Sequence, residues 1–161
     1  MTGARAAGAA RRPVWRLIGV VALCVLLLDR LSKLWVLEVL DLQSVGRLEV
    51  APPYLVFLMA WNPGVNFGLL GSADMRWVLV AVAAAISLAL VLWAARRGTP
   101  ALAAGAALVA GGALGNAWDR VQYGAVADFL NMSCCGIQNP FAFNIADVAI
   151  FLGAVVIAWK A

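Results

Sequence analysis

Asp128 and Asp147 head the list of residues that could do chemistry, in a chain that contains no histidine. Two carboxylates at one site can hydrolyse an acyl bond. One, ionised, takes a proton from water, while the other, protonated, polarises a carbonyl. Held close together they cannot both ionise cheaply, so they would titrate as a unit. The missing histidine removes Ser-His-Asp and Cys-His catalysis together with His-ligated zinc and haem. Asp147 also has a plainer reading. Asn144 and Asp147 have the spacing of an N-cap and its third helical residue, so Asp147 could simply be a charge favoured at a helix start. Gly112, Asn116 and Arg120 recur every four residues and would aim an amide and a guanidinium at one place, or serve only as polar glue between helices. Gly111 and Gly115 beside them form a GxxxG face that permits close helix approach. Asp29 and Lys33, four apart in acid-first order, would neutralise one another on one helix face. Ser32 and Lys33 are consecutive, hence about 100° apart on a helix, and cannot form a Ser-Lys dyad.

These residues must be positioned by elements that live in lipid. The chain is 65% hydrophobic with a mean hydropathy of +0.93, well above ordinary soluble domains. Apolar runs at 14–37, 76–95, 101–121 and 143–159 predict four transmembrane helices in a single domain covering 1–161. The first run continues through Asp29, Lys33 and Trp35 and reads as a retained anchor, not a cleaved signal peptide. Six tryptophans (Trp15, Trp35, Trp77, Trp93, Trp118, Trp159) stand near the span ends. Segment 38–75 differs: Pro52 and Pro53 precede a β-prone stretch, Tyr54 to Trp61, and the turn Asn62-Pro63-Gly64, which predicts one or two short strands followed by an interfacial stretch near 65–75. The net charge of +4 is not a nucleic-acid signature. Arg5, Arg11, Arg12, Arg16, Arg96, Arg97 and Lys160 mark one membrane face, whereas all acidic residues fall in the alternate segments. The positive-inside rule then puts both termini and the Arg96 loop in the cytoplasm. Cys24, Cys134 and Cys135 have no metal-binding spacing, and neighbouring cysteines bridge poorly. No metal and no cofactor is expected.

Taken in order, Asp29-x-x-Ser32-Lys33, Asn62-x-Gly64-x-x-Phe67, Gly112-x-x-Gly115-Asn116-x-x-Asp119-Arg120, Val126-x-Asp128-Phe129 and Phe143-Asn144-x-Ala146-Asp147 resemble the bacterial lipoprotein signal peptidase family, signal peptidase II. The resemblance implies an aspartyl endopeptidase of the inner membrane that cuts a prolipoprotein before its diacylglyceryl-modified cysteine. By the same likeness Asp128 and Asp147 are the catalytic pair, and Asn62, Gly112, Asn116, Arg120 and Asn144 line or organise the site. Asp29, Lys33 and Asp119 give structural support. The implied fold is an all-α membrane protein with four transmembrane helices, a small extracytoplasmic β-rich cradle and an interfacial helix. Its partners would be the lipid-modified substrate and membrane lipids, with the chain acting as a monomer. Asn66 departs from the small residue that many members carry before the Phe. Two other readings compete: a small ion or proton transporter built on membrane carboxylates, and a structural membrane subunit in which Asp→Asn changes alter stability only.

Overall fold

The computed structural model describes residues 2–64 and 75–161, and of residues 2–12 the backbone alone. The expected interfacial stretch, with Asn66 and Phe67, lies outside the described residues except for Met75.

Helix α1 runs Thr2–Leu34 and passes into a π-helical turn, Trp35–Val39, where Leu40 N donates to Trp35 O at 3.0 Å. The helix therefore starts well before residue 14, and the Arg-rich approach to the first apolar run is itself helical. A single turn α2 (Leu42–Val45) precedes strands β1 (Arg47–Ala51) and β2 (Leu55–Asn62). Helices α3 (Arg76–Arg97) and α4 (Pro100–Tyr123) meet at a turn that the sequence marks at both ends. Gly98 takes the left-handed φ of 71° that closes α3, and Pro100, lacking an N–H, opens α4. Strand β3 (Val126–Met132) and helix α5 (Ile145–Lys160) complete the chain. Among the described residues, two helices, α3 and α4, are long and apolar enough to cross a membrane.

The strands form an antiparallel sheet in the order β1-β2-β3. Two strands in the 38–75 segment match the expectation, but the third was not foreseen. Val126–Met132 is buried on both faces for most of its length, so it lacks the in-out alternation by which a strand is read. The chain is mostly helical, with this small antiparallel sheet beside the helices. The sheet packs on the end of α1 through Val36, Leu42, Phe57 and Phe129, with Phe57 edge-on to Trp35 and Phe129 at 6.1 and 5.8 Å. Helix α5 starts two residues later than the apolar run, because Phe143 bridges Leu130 of β3 and Asn144 serves as the cap.

Small residues bring the helices together. A side chain at Gly111 would strike the Ala22 carbonyl of α1, and one at Gly115 would lie 2.5 Å from Asp29 Oδ2. Gly112, one step round α4, faces the Ala146 carbonyl and Ile150 of α5. Farther along the same seam Gly153 sits against Gly105. The GxxxG pair thus docks α1, and Gly112 docks α5. Outward-facing positions are large and apolar, among them Val20, Leu27 and Leu31 on α1, Ile86 and Leu88 on α3, and Phe151 and Trp159 on α5. Small residues within and bulky apolar ones without is the pattern of a bundle surrounded by lipid.

Candidate active site

Asp128 sits in the middle of β3, paired with Ala60 of β2, and Asp147 lies in the first turn of α5. Four elements converge here, because the end of β2 brings Asn62 and the C-terminal half of α4 brings Asn116 and Arg120.

Asn144 joins the two carboxylates. Its side chain is the N-cap of α5, accepting Asp147 N at 2.9 Å, while its own N–H donates to Asp147 Oδ2 at 3.2 Å, a complete capping box. The cap leaves the amide nitrogen free to point away from the helix, where it donates to Asp128 Oδ1 at 2.6 Å. One fully buried asparagine therefore fixes the helix start and holds both acids. Asn62 Nδ2 donates to the other Asp128 oxygen at 3.1 Å, and Asn62 Oδ1 accepts Gly64 N at 2.9 Å, which folds the turn back on the site.

Asn116 occupies the position facing Asp147. Lys33 Nζ, which can only donate, meets the Asn116 oxygen at 3.2 Å, and Asn144 Nδ2 meets the same oxygen at 3.2 Å. With its oxygen between two donors, Asn116 presents its nitrogen to Asp147 Oδ1 at 2.8 Å.

Beneath the amides lies a buried charge cluster. Lys33 Nζ pairs with Asp29 at 3.0 Å and Asp119 at 2.6 Å, and Arg30 pairs with Asp119 and lies 3.4 Å from Asp29. The helical Asp29–Lys33 pairing is as expected, but neutralisation takes four groups, two of each sign. Arg30 was not singled out in the sequence, because its partner Asp119 lies on another helix, 89 positions away. The two acids have a second use. Asp29 Oδ1 accepts Ala146 N at 3.1 Å, and Asp119 Oδ2 accepts Ala127 N at 3.2 Å. Each anchors the backbone one residue before Asp147 or Asp128. Removing a single member of such a cluster costs about 3–5 kcal/mol, because it strands a buried charge.

Burial is the largest influence on Asp128, pushing its carboxyl up to about 6, with the Asn62 hydrogen bond pulling down, the Asp147 charge pushing up, and Asn144 and Lys33 pulling down. Arg120 leans over the site. Its Nη1 donates to Asn116 O at 3.3 Å, Nη2 lies against Gly64, and Nε is buried without a partner among the described residues. That leaves donors for a group entering the site. Of the residues singled out in the sequence, Asn62, Asn116, Arg120, Asp128, Asn144 and Asp147 come together at the site. Asp29, Lys33 and Asp119 lie directly below it, and Gly112 sits in the helix seam behind it.

Comparison with known proteins matches residues 21–161 to the family described as Signal peptidase (SPase) II. Lipoprotein signal peptidase from Methylorubrum extorquens is 42% identical over 140 residues, covering 85% of this chain and 81% of that protein. The protein of the same description from Rhodopseudomonas palustris is 39% identical over 148 residues, covering 89% and 88%. Two solved structures of bacterial membrane enzymes, obtained by the in meso method, superpose with TM-scores of 0.72 and 0.74 at 26% identity, each over 89% of this chain and over 85% and 90% of theirs.

Proposed function

This chain belongs to the signal peptidase II family, bacterial membrane proteases that remove the signal peptides of prolipoproteins, and from that premise we propose that Asp128 and Asp147 are its catalytic pair. The observation that carries the assignment is the Asn144 side chain, which caps the helix bearing Asp147 and donates to Asp128. An amide placed so holds two acids at one fixed separation, as a dyad requires.

The chemistry follows from the unequal surroundings of the two groups. Asp147 receives N–H donors on both oxygens and acts as the base. Asp128, raised to about 6 chiefly by burial, acts as the acid, and an apolar peptide entering the site excludes more water and raises it further. Water between them attacks the carbonyl carbon of the residue before the lipidated cysteine. Asp147 takes the water proton while Asp128 donates to the carbonyl oxygen, giving a tetrahedral diol. Collapse returns a proton to Asp128, breaks the C–N bond and delivers the proton held by Asp147 to the departing cysteine amine. Arg120 supplies the spare N–H donors that hold the substrate backbone in line. Two carboxylates and water suffice, so the reaction needs no cofactor.

Membrane placement rests on the charges. Arg96 and Arg97 lie at the α3–α4 turn, at the opposite end of α4 from Asn116 and Arg120. The positive-inside rule then supports cytoplasmic termini, four spans in one domain and a site facing outward, with α1 and α5 completing the set. Helix α5 has 16 residues, about 24 Å, and reaches across most of the hydrocarbon layer. The site would open sideways, so that the diacylglyceryl chains stay in the bilayer.

The test is cleavage of a diacylglyceryl-modified prolipoprotein by purified wild type, Asp128→Asn and Asp147→Asn in detergent at matched thermal stability. Loss of cleavage in both variants supports the dyad. Activity retained in either removes that residue from the mechanism.

A further inference from the structure

We propose that Lys33 is a positioning residue for the dyad, acting on Asp147 through the orientation of the Asn116 amide. The inference rests on the dyad reading above and goes beyond charge balance.

An asparagine amide is nearly symmetric in shape, and only its neighbours decide which end is nitrogen. The end of Asn116 that faces inward meets Lys33 Nζ at 3.2 Å and Asn144 Nδ2 at 3.2 Å. The end that faces the site meets Asp147 Oδ1 at 2.8 Å. Asn144 Nδ2 has two hydrogens and gives one to Asp128 Oδ1 at 2.6 Å and the other to this oxygen, so Lys33 is the second of two donors that fix the orientation. Lys33 contributes a donor that has no acceptor alternative. Its three ammonium hydrogens match three acceptors: Asp29, Asp119 and Asn116. Were the amide to turn over, it would present an oxygen to Asp147, an arrangement that suits a protonated acid and repels a carboxylate. Lys33 therefore keeps Asp147 ready to accept the proton of the attacking water.

The charged groups packed around this point are Asp29 and Arg30 from α1, Asp119 and Arg120 from α4, Asp128 from β3 and Asp147 from α5. Removing Lys33 alone strands a negative charge among them and risks misfolding. The informative variant is therefore the pair Lys33→Met with Asp29→Asn. It removes one charge of each sign, and the new amide oxygen at position 29 can still accept Ala146 N. Asp119 keeps Arg30 as its ion-pair partner, and the Asn116 oxygen loses one of its two donors.

The experiment measures kcat, KM and the pH–rate profile with a diacylglyceryl-modified prolipoprotein in detergent, for wild type, the Lys33→Met/Asp29→Asn pair and Asn116→Ala. In the paired variant kcat at its optimum should fall about tenfold, KM should hold within about twofold, and the acid limb should move to higher pH by about one unit, the size of a lost hydrogen bond to an ionised group. Asn116→Ala leaves the ion pairs whole and should show the same displacement. Adding the Lys33 and Asp29 changes to it should do little more. Wild-type kcat and pH profile in the paired variant would show that Lys33 serves charge balance only and overturn the proposal. So would a wild-type acid limb in Asn116→Ala, whether or not the Lys33 variants fold. The Asp→Asn variants test the dyad separately, so either result against Lys33 leaves the dyad standing.

Discussion

Replacing Gly112 by Ala sets a methyl group in the α4–α5 seam with Ile150 Cγ1 2.9 Å and the Ala146 carbonyl carbon 3.2 Å away, and the Ala146 oxygen nearer still. Carbon atoms rest at about 3.5–4.0 Å, so α5 must withdraw by about 0.6–1 Å. Two of the three obstacles are backbone atoms of Ala146, which cannot rotate away as a side chain can. Ala146 precedes Asp147, whose hydrogen bond to Asn116 spans the same seam at 2.8 Å. Adding the withdrawal stretches that contact to about 3.4–3.8 Å, past the useful range of a hydrogen bond. Overpacking of this kind costs about 1–3 kcal/mol of stability, and misplacing a catalytic group by about 1 Å costs about 10²-fold in rate. Gly105→Ala is the control. It meets Gly153 O, Ile157 and Val156 at 3.0–3.1 Å in the same seam, but about 10 Å farther from the site. The assay is prolipoprotein cleavage in detergent, normalised to the folded fraction from thermal melts. We expect both variants to lose stability and Gly112→Ala alone to lose about 10²-fold in kcat. Activity within about threefold of wild type in Gly112→Ala, or an equal loss in Gly105→Ala, would refute the argument that seam distance sets the aspartate geometry.

Asn144→Ala removes a helix cap and the Asp128 donor at once, so stability should fall by about 1–2 kcal/mol and kcat by at least about tenfold, read by thermal unfolding and cleavage. Asp128 is raised from 3.8 to about 6, so the folded protein holds that proton more tightly than the unfolded chain does. Its contribution to stability is complete below about pH 4 and is lost as the pH rises through 6; thermal melts across that window should show the decline, and Asp128→Asn should flatten it. Ser87 is buried in α3 with no partner for its hydroxyl among the described residues, so Ser87→Ala should leave the melting temperature unchanged or raise it.

Local spacing carried a good part of this protein. The helix period places Asp29 beside Lys33, and the three-residue step from Asn144 to Asp147 is the capping box that the structure contains. Gly98 and Pro100 mark the α3–α4 turn through their own backbone preferences. Such features depend on a few consecutive residues, and any chain with that order would tend to form them. The motif order likewise identified the family. Tertiary structure decided what crosses between elements. Strand β3 exists because β2 pairs with it, and no alternation in Val126–Met132 announces it. Arg30 meets Asp119 because small residues let α1 and α4 approach, and Asp29 and Asp119 reach backbone N–H groups of two other elements. The direction of the Asn116 amide depends on a lysine 83 positions earlier. These contacts are set by the docking of helices and sheet, which brings donors and acceptors from distant parts of the chain within reach of one another.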